Sequence, residues 1–179
     1  MDSKGYADQL IINQQTLFLE SKPVGKKTHT LIYSYNEIER NNSTMVINKK
    51  VEVPKSPIRV IDHNLQNMVS SYESSLKSSQ KHLEKLQRHK LPLVVGNYRG
   101  TPLVLFPIFS PDSKQNIWVH YNNVLNIEIY NHRTTVIFKN EQQLDLPIQK
   151  NTLVQQMASS GVLYNIIHRE WLKQYYPFK

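Results

Sequence analysis

Six short runs of apolar and β-branched residues follow one another between residues 93 and 147, and turn residues separate them. The runs cover residues 93–95, 103–109, 116–121, 124–130, 134–138 and 143–146. Lys139-Asn140-Glu141 separates the last two runs and has the composition of a hairpin tip. Strands at such short spacing are typical of an antiparallel sheet, so this part of the chain predicts a sheet-based fold.

The first third of the chain has a similar β pattern. Runs at 10–12, 16–19, 31–33 and 44–53 predict strands, with turn chemistry at 22–25 and 40–43 between them. Pro54 and Pro57 then interrupt backbone pairing. We expect residues 1–57 to form a β-rich N-terminal segment of the same domain as a core over 58–179. A separate N-terminal subdomain remains an open alternative.

Two helices are predicted around this sheet. Residues 58–61 predict a strand, and an amphipathic helix over 65–88 follows it, capped by Asp62 or Asn64 and ended by Pro92. Its apolar positions are Leu65, Met68, Val69, Tyr72, Leu76, Leu83 and Leu86. A C-terminal helix begins at a capping box of Thr152 and Gln155. The expected fold is α+β, a mostly antiparallel β-sheet region packed by a middle helix and a C-terminal helix.

Positive charge is concentrated in the middle of the chain. The net charge is +8, and residues 58–100 hold seven basic and three acidic side chains. The longer segments on either side each have an excess of only two basic residues. A positive field attracts polyanions, with nucleic acid first and anionic lipid second.

Part of this charge falls at helical spacing. At about 100° per residue, the four cations of the predicted helix lie within about 80° of one another, and its leucines face away from them. These cations are Lys77, Lys81, Lys85 and Arg88, and His82, His89 and Lys90 add to them. A row of cations at this pitch can contact successive phosphates. The alternative is a solvated lysine face on an amphipathic helix.

Several functional classes lack their usual residues. The chain has no cysteine, which argues against structural zinc and fits a reducing compartment. No apolar run approaches the ~20 residues of a membrane span, and no apolar signal stretch follows Met1. The seven histidines make no metal-ligand spacing, and no Gly-x-Ser-x-Gly turn occurs. We expect a cytoplasmic protein that is not an enzyme and has no cofactor or metal.

Eight short segments, called landmarks below, together resemble those of a known protein family. They are Ile58-Arg59-Val60-Ile61-Asp62, Ser70-Ser71-Tyr72, His89-Lys90-Leu91-Pro92, Leu105-Phe106-Pro107-Ile108-Phe109-Ser110, Trp118, Val136-Ile137-Phe138-Lys139-Asn140, Leu144-Asp145-Leu146-Pro147-Ile148 and Gln155-Gln156. Their order and spacing over roughly residues 55–172 resemble the bacterial competence transcription factor family, ComK. In that family the second landmark begins Gly-Ser-Ser-Tyr and a Gly-Arg pair soon follows. Val69 stands here in place of the glycine, and Ser74-Ser75 stand near the Gly-Arg.

The resemblance implies an activator of DNA-uptake genes that binds paired AT-rich boxes as a multimer, mainly through the minor groove. Narrow AT-tract minor grooves are strongly negative and favour inserted arginine or lysine. If the family glycine serves a close backbone approach to DNA, Val69 would obstruct it. The tail Tyr175-Tyr176-Pro177-Phe178-Lys179 resembles the segment by which the family is delivered to a protease.

The candidate DNA contacts are therefore the basic residues of the middle segment. They are Lys77, Lys81, Lys85, Arg88 and Lys90, together with Arg99 on a glycine-flanked turn tip. The expected partners are double-stranded DNA with AT-rich boxes, further copies of the chain and a protease adaptor on the tail, without a membrane. The alternative is a non-enzymatic protein-interaction or membrane-surface module that uses the same basic patch.

Overall fold

Nine strands and three helices make up the described part of the chain, which in this computed structural model comprises residues 12–40, 43–84, 90–111, 113–130 and 132–175. The strands are β1 (Thr16–Val24), β2 (Lys27–Arg40), β3 (Ser43–Val53), β4 (Leu93–Tyr98), β5 (Thr101–Pro107), β6 (Ile117–His120), β7 (Val124–Tyr130), β8 (Arg133–Phe138) and β9 (Gln143–Leu146). The helices are α1 (Pro57–Gln66), α2 (Tyr72–Leu83) and α3 (Lys150–Tyr175). The α+β prediction is confirmed.

Six of the strands form one antiparallel sheet in the order β3-β2-β1-β6-β5-β4. β1 lies between β2 and β6, with Leu19 opposite both Ile32 and Trp118. Strands from the N-terminal segment and strands that follow α2 therefore share one ladder of hydrogen bonds. The strand directions place the tips of the β2–β3 and β4–β5 hairpins at the same end of this sheet.

The remaining strands form a second sheet, in the order β7-β8-β9, which packs on one face of the first. The rings of Phe18 and Phe138 stack across this layer with centroids 5.7 Å apart. Phe106, Val119 and Leu153 are buried in the same cluster. Alternate residues of β5 face opposite sides of the sheet, so both faces of this strand are buried.

α1 covers the other face of the six-stranded sheet, and it is the first of three corrections to the helix predictions. Residues 58–61 were expected as a strand, but they lie within α1. Pro57 occupies the first turn, where its missing N–H costs nothing. Val60 and Ile61 are buried, and so are Asn64 and Leu65 one helical turn later. This spacing of buried residues is that of a helix, not the alternation of a strand.

The single helix expected over 65–88 is also wrong, because a turn at 67–71 separates α1 from α2. Val69 has a φ of 56°, and Ser71 begins the new helix by accepting a hydrogen bond from the N–H of Ser74 at 3.2 Å. Met68 and Val69, which were assigned to the apolar stripe, are exposed. Residues 85–89 lie outside the described part of the chain, so it does not test the predicted end of this helix.

α3 begins before the capping box that was predicted for it. The carbonyl of Gln149 accepts hydrogen bonds from the N–H groups of Thr152 at 3.0 Å and Leu153 at 3.2 Å. Lys150 is already helical, so Thr152 lies inside the first turn and is not its cap. The predicted box fails because Gln149 supplies the first carbonyl of the helix in a turn that follows Pro147 directly.

Candidate nucleic-acid interface

Alternate faces of α2 carry buried serines and exposed lysines. Ser75 and Ser79 are buried, and the Ser75 hydroxyl donates to the carbonyl of Val94 on β4 at 2.7 Å. Lys77 and Lys81 are exposed one turn apart. The small serine side chains let the helix lie close to the sheet edge, which fixes the lysine face toward solvent. Serine is a poor interior helix former, yet here it is the docking residue.

Lys77 is not an unpaired cation. Its ammonium group lies 2.8 Å from the carboxylate of Glu73, one turn earlier. The pair raises the pKa of Lys77 and lowers the pKa of Glu73, in each case mainly through their hydrogen bond. Both side chains are about three-quarters exposed, at 72% and 75%, so the pair contributes little to stability. A DNA phosphate can bind Lys77 only in competition with the carboxylate of Glu73.

Lys81 has no such ion pair among the described residues. It is exposed in the last turn of α2, where a cation is also favoured by the helix dipole. The neighbouring His82 faces α3, with its ring 3.9 Å from the carboxylate of Glu170. Lys85 and Arg88, the other two members of the predicted stripe, lie outside the described residues.

Lys90 is turned toward the protein. Its ammonium group donates to the carbonyl of Ile108 at 2.9 Å, and the residue is half-buried. This bond ties the segment that enters β4 to the end of β5. A contact between Lys90 and DNA would therefore require its ammonium group to serve two partners or to leave one.

Arg99 stands at the tip of the β4–β5 hairpin. Tyr98 and Thr101 are paired, so Arg99 and Gly100 form a two-residue turn, with φ values of 50° and 84°. Positive φ at both positions belongs to the type I′ turn, which normally takes Asn, Asp or Gly first. The Asn97 side chain accepts from the N–H of Gly100 at 2.8 Å and holds the turn.

The side chain of Arg99 projects from this tip beside an aromatic ring. Its guanidinium carbon lies 5.3 Å from the centroid of Tyr98, which is 39% exposed. Arginine in a left-handed backbone conformation costs energy that asparagine or glycine would avoid. Strained backbone clusters at functional sites, but Val69, His132 and Glu141 also have positive φ. It is strain together with exposure and positive charge on a hairpin tip that distinguishes Arg99. Among the predicted site residues that the structure describes, Arg99 is therefore the one whose backbone conformation presents its side chain to solvent at a hairpin tip.

The structure does not bring into one patch the described members of the predicted set, Lys77, Lys81, Lys90 and Arg99. Lys90 precedes β4 and Arg99 follows it, so the strand separates them by about 20 Å. Leu83 at the end of α2 shares a buried cluster with Leu91, which places Lys81 toward the Lys90 end. The described residues of the predicted site thus form two separate basic regions, the exposed lysine face of α2 and the Arg99 hairpin tip.

Sequence reasoning missed exposed cations on β3. Lys49 and Lys50 are both exposed, and the Lys50 ammonium lies 5.0 Å from the ring centroid of Tyr33. The hydrogen bond with Tyr33 is the main cause of a raised pKa for Lys50. The small net charge of residues 1–57 concealed these lysines, because glutamates elsewhere in the segment offset them. Their adjacency on a predicted strand was the available signal.

Sites of other chemistry are sparse in the described residues. They contain no group of three or more His, Asp or Glu side chains placed to hold a metal. A cavity of about 600 Å³ lies open beside the start of α3, where His132, Arg133 and Lys150 line it without any carboxylate. None of the described helices is long and apolar enough to cross a membrane.

Comparison with known proteins gives one clear finding. A family model described as "ComK protein" matches residues 7–171, nearly the whole chain. No curated protein and no solved structure matched the sequence. The match extends beyond the landmarks at 55–172 and includes β1, β2 and β3.

Proposed function

The chain belongs to the ComK family of competence transcription factors, and from this premise we propose that it is a DNA-binding activator of DNA-uptake genes. It binds AT-rich boxes mainly through the minor groove. The family is one of transcription factors rather than enzymes. The proposed DNA contact rests on one observation: Arg99 is exposed at the β4–β5 hairpin tip in a strained backbone conformation.

Arg99 has the chemistry that an AT-rich minor groove selects. The groove is narrow there and its negative potential is enhanced, which attracts an inserted guanidinium. A two-residue hairpin is slim enough to approach a groove about 6 Å wide. Tyr98 beside the guanidinium restricts its rotamers, so less conformational entropy is lost when the side chain enters the groove.

The lysine face of α2 would act on phosphates. Lys81 is the strongest candidate, because it is exposed and no described residue forms an ion pair with it. Lys77 contributes less because Glu73 competes for its charge. Lys85 and Arg88 extend the same sequence pattern and remain in the proposed set. Lys90 is its weakest member because of its bond to Ile108.

The remaining expectations for the protein are also proposals. We infer that it acts in the cytoplasm as a homo-oligomer, which suits paired boxes on DNA. We also propose that residues 1–57 belong to the same folding unit as 58–179, since β1 lies inside the six-stranded sheet. The aromatic tail would bind a protease adaptor, although residues 176–179 lie outside the described chain.

The test is a titration of labelled AT-rich box DNA and of a scrambled duplex over a salt series. We expect tighter binding to the box at every salt concentration and a steep loss of affinity for both duplexes as salt rises. Equal affinity for the two duplexes would contradict the activator proposal. In that case, binding to vesicles with anionic lipid would support a membrane-surface module, and binding to an acidic protein would support a protein-interaction module.

A further inference from the structure

The first half of the outer edge of β3, residues 43–48, is uncharged and rich in exposed apolar residues. β3 is the end strand of the six-stranded sheet, so one of its edges has no neighbouring strand among the described residues. Residues 43–48, Ser-Thr-Met-Val-Ile-Asn, are all exposed and carry no charge. Met45, Val46 and Ile47 are 49%, 44% and 44% exposed. This combination of β propensity and exposure is unusual on a sheet edge.

The same residues lie at the margin of the protein, which they contact where the side chain of Asn48 accepts a 3.0 Å hydrogen bond from that of Asn140. Thr16 at the start of β1 pairs with Ser34, so among the described residues the part of β2 beyond Tyr35 has only β3 as a neighbouring strand. Residues 36–40 and 43–48 therefore form a two-stranded ribbon that projects past the sheet. Exposure on both of its faces leaves the outer edge of β3 open to another strand.

The charges on the ribbon indicate what kind of partner fits. Glu37 and Glu39 are exposed on β2, opposite Val46 and Thr44. Two carboxylates beside the edge would repel nucleic-acid phosphates, so this part of the ribbon does not suit DNA. Proteins normally protect edge strands with lysine, proline or a bulge. Residues 43–48 have none of these on the described ladder, which favours pairing with another protein strand.

We propose that this edge pairs with the same edge of a second copy of the chain, antiparallel and centred on Val46. The pairing would join two six-stranded sheets into one continuous sheet. It deepens the homo-oligomer part of the proposed function by naming the surface and the partner. It does not depend on DNA contact by Arg99, which lies on a hairpin at the opposite edge of the sheet.

Symmetry and sequence together suggest the register. A two-fold axis normal to a sheet requires one residue to oppose itself, and Val46 is the midpoint of the apolar run Met45–Ile47, so we place Val46 opposite Val46 of the second copy. Met45 then lies opposite Ile47, and Thr44 opposite Asn48. Ser43 lies opposite Lys49, so no described position opposes two like charges. Cross-strand pairs of apolar and β-branched residues are the pairs that stabilise a sheet.

Mass measurement of the free protein by size-exclusion chromatography with light scattering tests the proposal. We expect the wild type to be at least dimeric at tens of micromolar. Val46→Glu should reduce its mass to that of the monomer, because two carboxylates would oppose each other at the axis, each beside a Glu37 carboxylate. Val24→Glu is the matched control, since Val24 is 40% exposed at the opposite end of the sheet. A monomeric wild type, or equal masses for the two variants, would overturn the proposal.

Cysteine cross-linking tests the register. The wild-type chain has no cysteine, so each introduced thiol is unique. Directly opposed residues in an antiparallel pair have Cα atoms about 4.5–5.5 Å apart, which a disulfide can span. Under mild oxidant, Val46→Cys should form covalent dimers in high yield and Val24→Cys should not. Met45→Cys mixed with Ile47→Cys should cross-link better than either variant alone. Equal yields for Val46→Cys and Val24→Cys would reject the interface.

DNA titration of the same variants separates this inference from the proposed function. A wild type that is dimeric through Val46 but binds both duplexes equally supports the interface and contradicts the activator proposal. A wild type that prefers AT-rich boxes but is monomeric in free solution does the opposite.

Discussion

The N–H of Ser70 donates a 3.0 Å hydrogen bond to the carbonyl of Leu65 and thereby ends α1. The N–H of Val69 donates to Gln66 at 3.1 Å, and Val69 itself has a φ of 56°. These two bonds and the left-handed residue between them form a Schellman motif. Glycine is the usual residue at this position. The backbone conformation alone therefore favours glycine at this position of the family pattern, and no close approach to DNA is needed to explain it.

We expect Val69→Gly to stabilise the protein by about 1 kcal/mol. A β-branched residue in the left-handed region costs about 1–2 kcal/mol, and the added freedom of glycine in the unfolded chain offsets part of the gain. Val69 is 99% exposed, so the substitution removes no packing. Urea unfolding measures the change.

Met68→Gly is the control, because Met68 precedes the left-handed position and has no positive φ. It should destabilise the protein by about 0.5–1 kcal/mol. Equal destabilisation by the two glycines would show that φ at Val69 is not the source of the strain.

The contact between Ser75 and Val94 should be worth about 1 kcal/mol. Ser75→Ala removes the 2.7 Å bond and leaves the partly buried carbonyl of Val94 without this donor. Ser78→Ala has the same gain in helix propensity without this contact, so it is the reference in thermal unfolding. We expect Ser75→Ala to be the less stable of the two. The docking of α2 on β4 would need another explanation if Ser78→Ala were equally or more destabilised.

We expect His120 to make the stability of the protein depend on pH. It is completely buried, its Nδ1 lies 2.6 Å from the carbonyl of Thr16, and burial is the main cause that lowers its pKa from 6.5 to about 4. The unfolded chain therefore binds a proton more readily than the folded chain between these values. Stability is retained above pH 6.5 and is lost as pH falls toward 4, by about 1.4 kcal/mol per pH unit at most.

His120→Gln should flatten this dependence in urea unfolding measured between pH 4 and 7. His132→Gln, at an exposed turn, controls for the loss of a histidine. Similar slopes for the His120 variant and the wild type would place the pH sensitivity elsewhere.

Lys81→Ala and Lys85→Ala should each reduce the slope of log affinity against log salt by about one, because each removes one phosphate contact. Lys77→Ala should reduce it less, since Glu73 already competes for that charge. Lys114→Ala, at an exposed position outside both basic regions, should leave the slope unchanged. Equal changes for Lys81→Ala and Lys114→Ala would show that the α2 face makes no specific phosphate contact.

Strand positions were predictable from the sequence because short β-branched runs and turn residues determine them locally. The runs at 16–19, 31–33, 44–53 and 124–130 all lie within observed strands. The errors lie where tertiary contacts decide. Residues 58–61 are too short and too uniformly apolar for the sequence to distinguish a buried strand from a buried helix turn. The end of α1 was missed because Val69 occupies the left-handed position where a glycine would have indicated a helix end. The spatial separation of Arg99 from the lysine face depends on the packing of α2 near the start of β4, a tertiary contact that no local sequence pattern shows.

Arg99→Ala provides the most direct test of the proposed DNA contact, with Arg169→Ala, an exposed arginine on α3, as the charge-matched control. Fluorescence anisotropy at one fixed salt concentration gives the affinity of each variant for the AT-rich box and for the scrambled duplex. Loss of a minor-groove arginine should cost about 1–3 kcal/mol on the box, roughly tenfold or more in affinity, and much less on the scrambled duplex. Arg169→Ala should weaken both duplexes slightly and equally. If the two variants lose the same affinity for both duplexes, Arg99 does not bind the minor groove and the proposed DNA contact is contradicted.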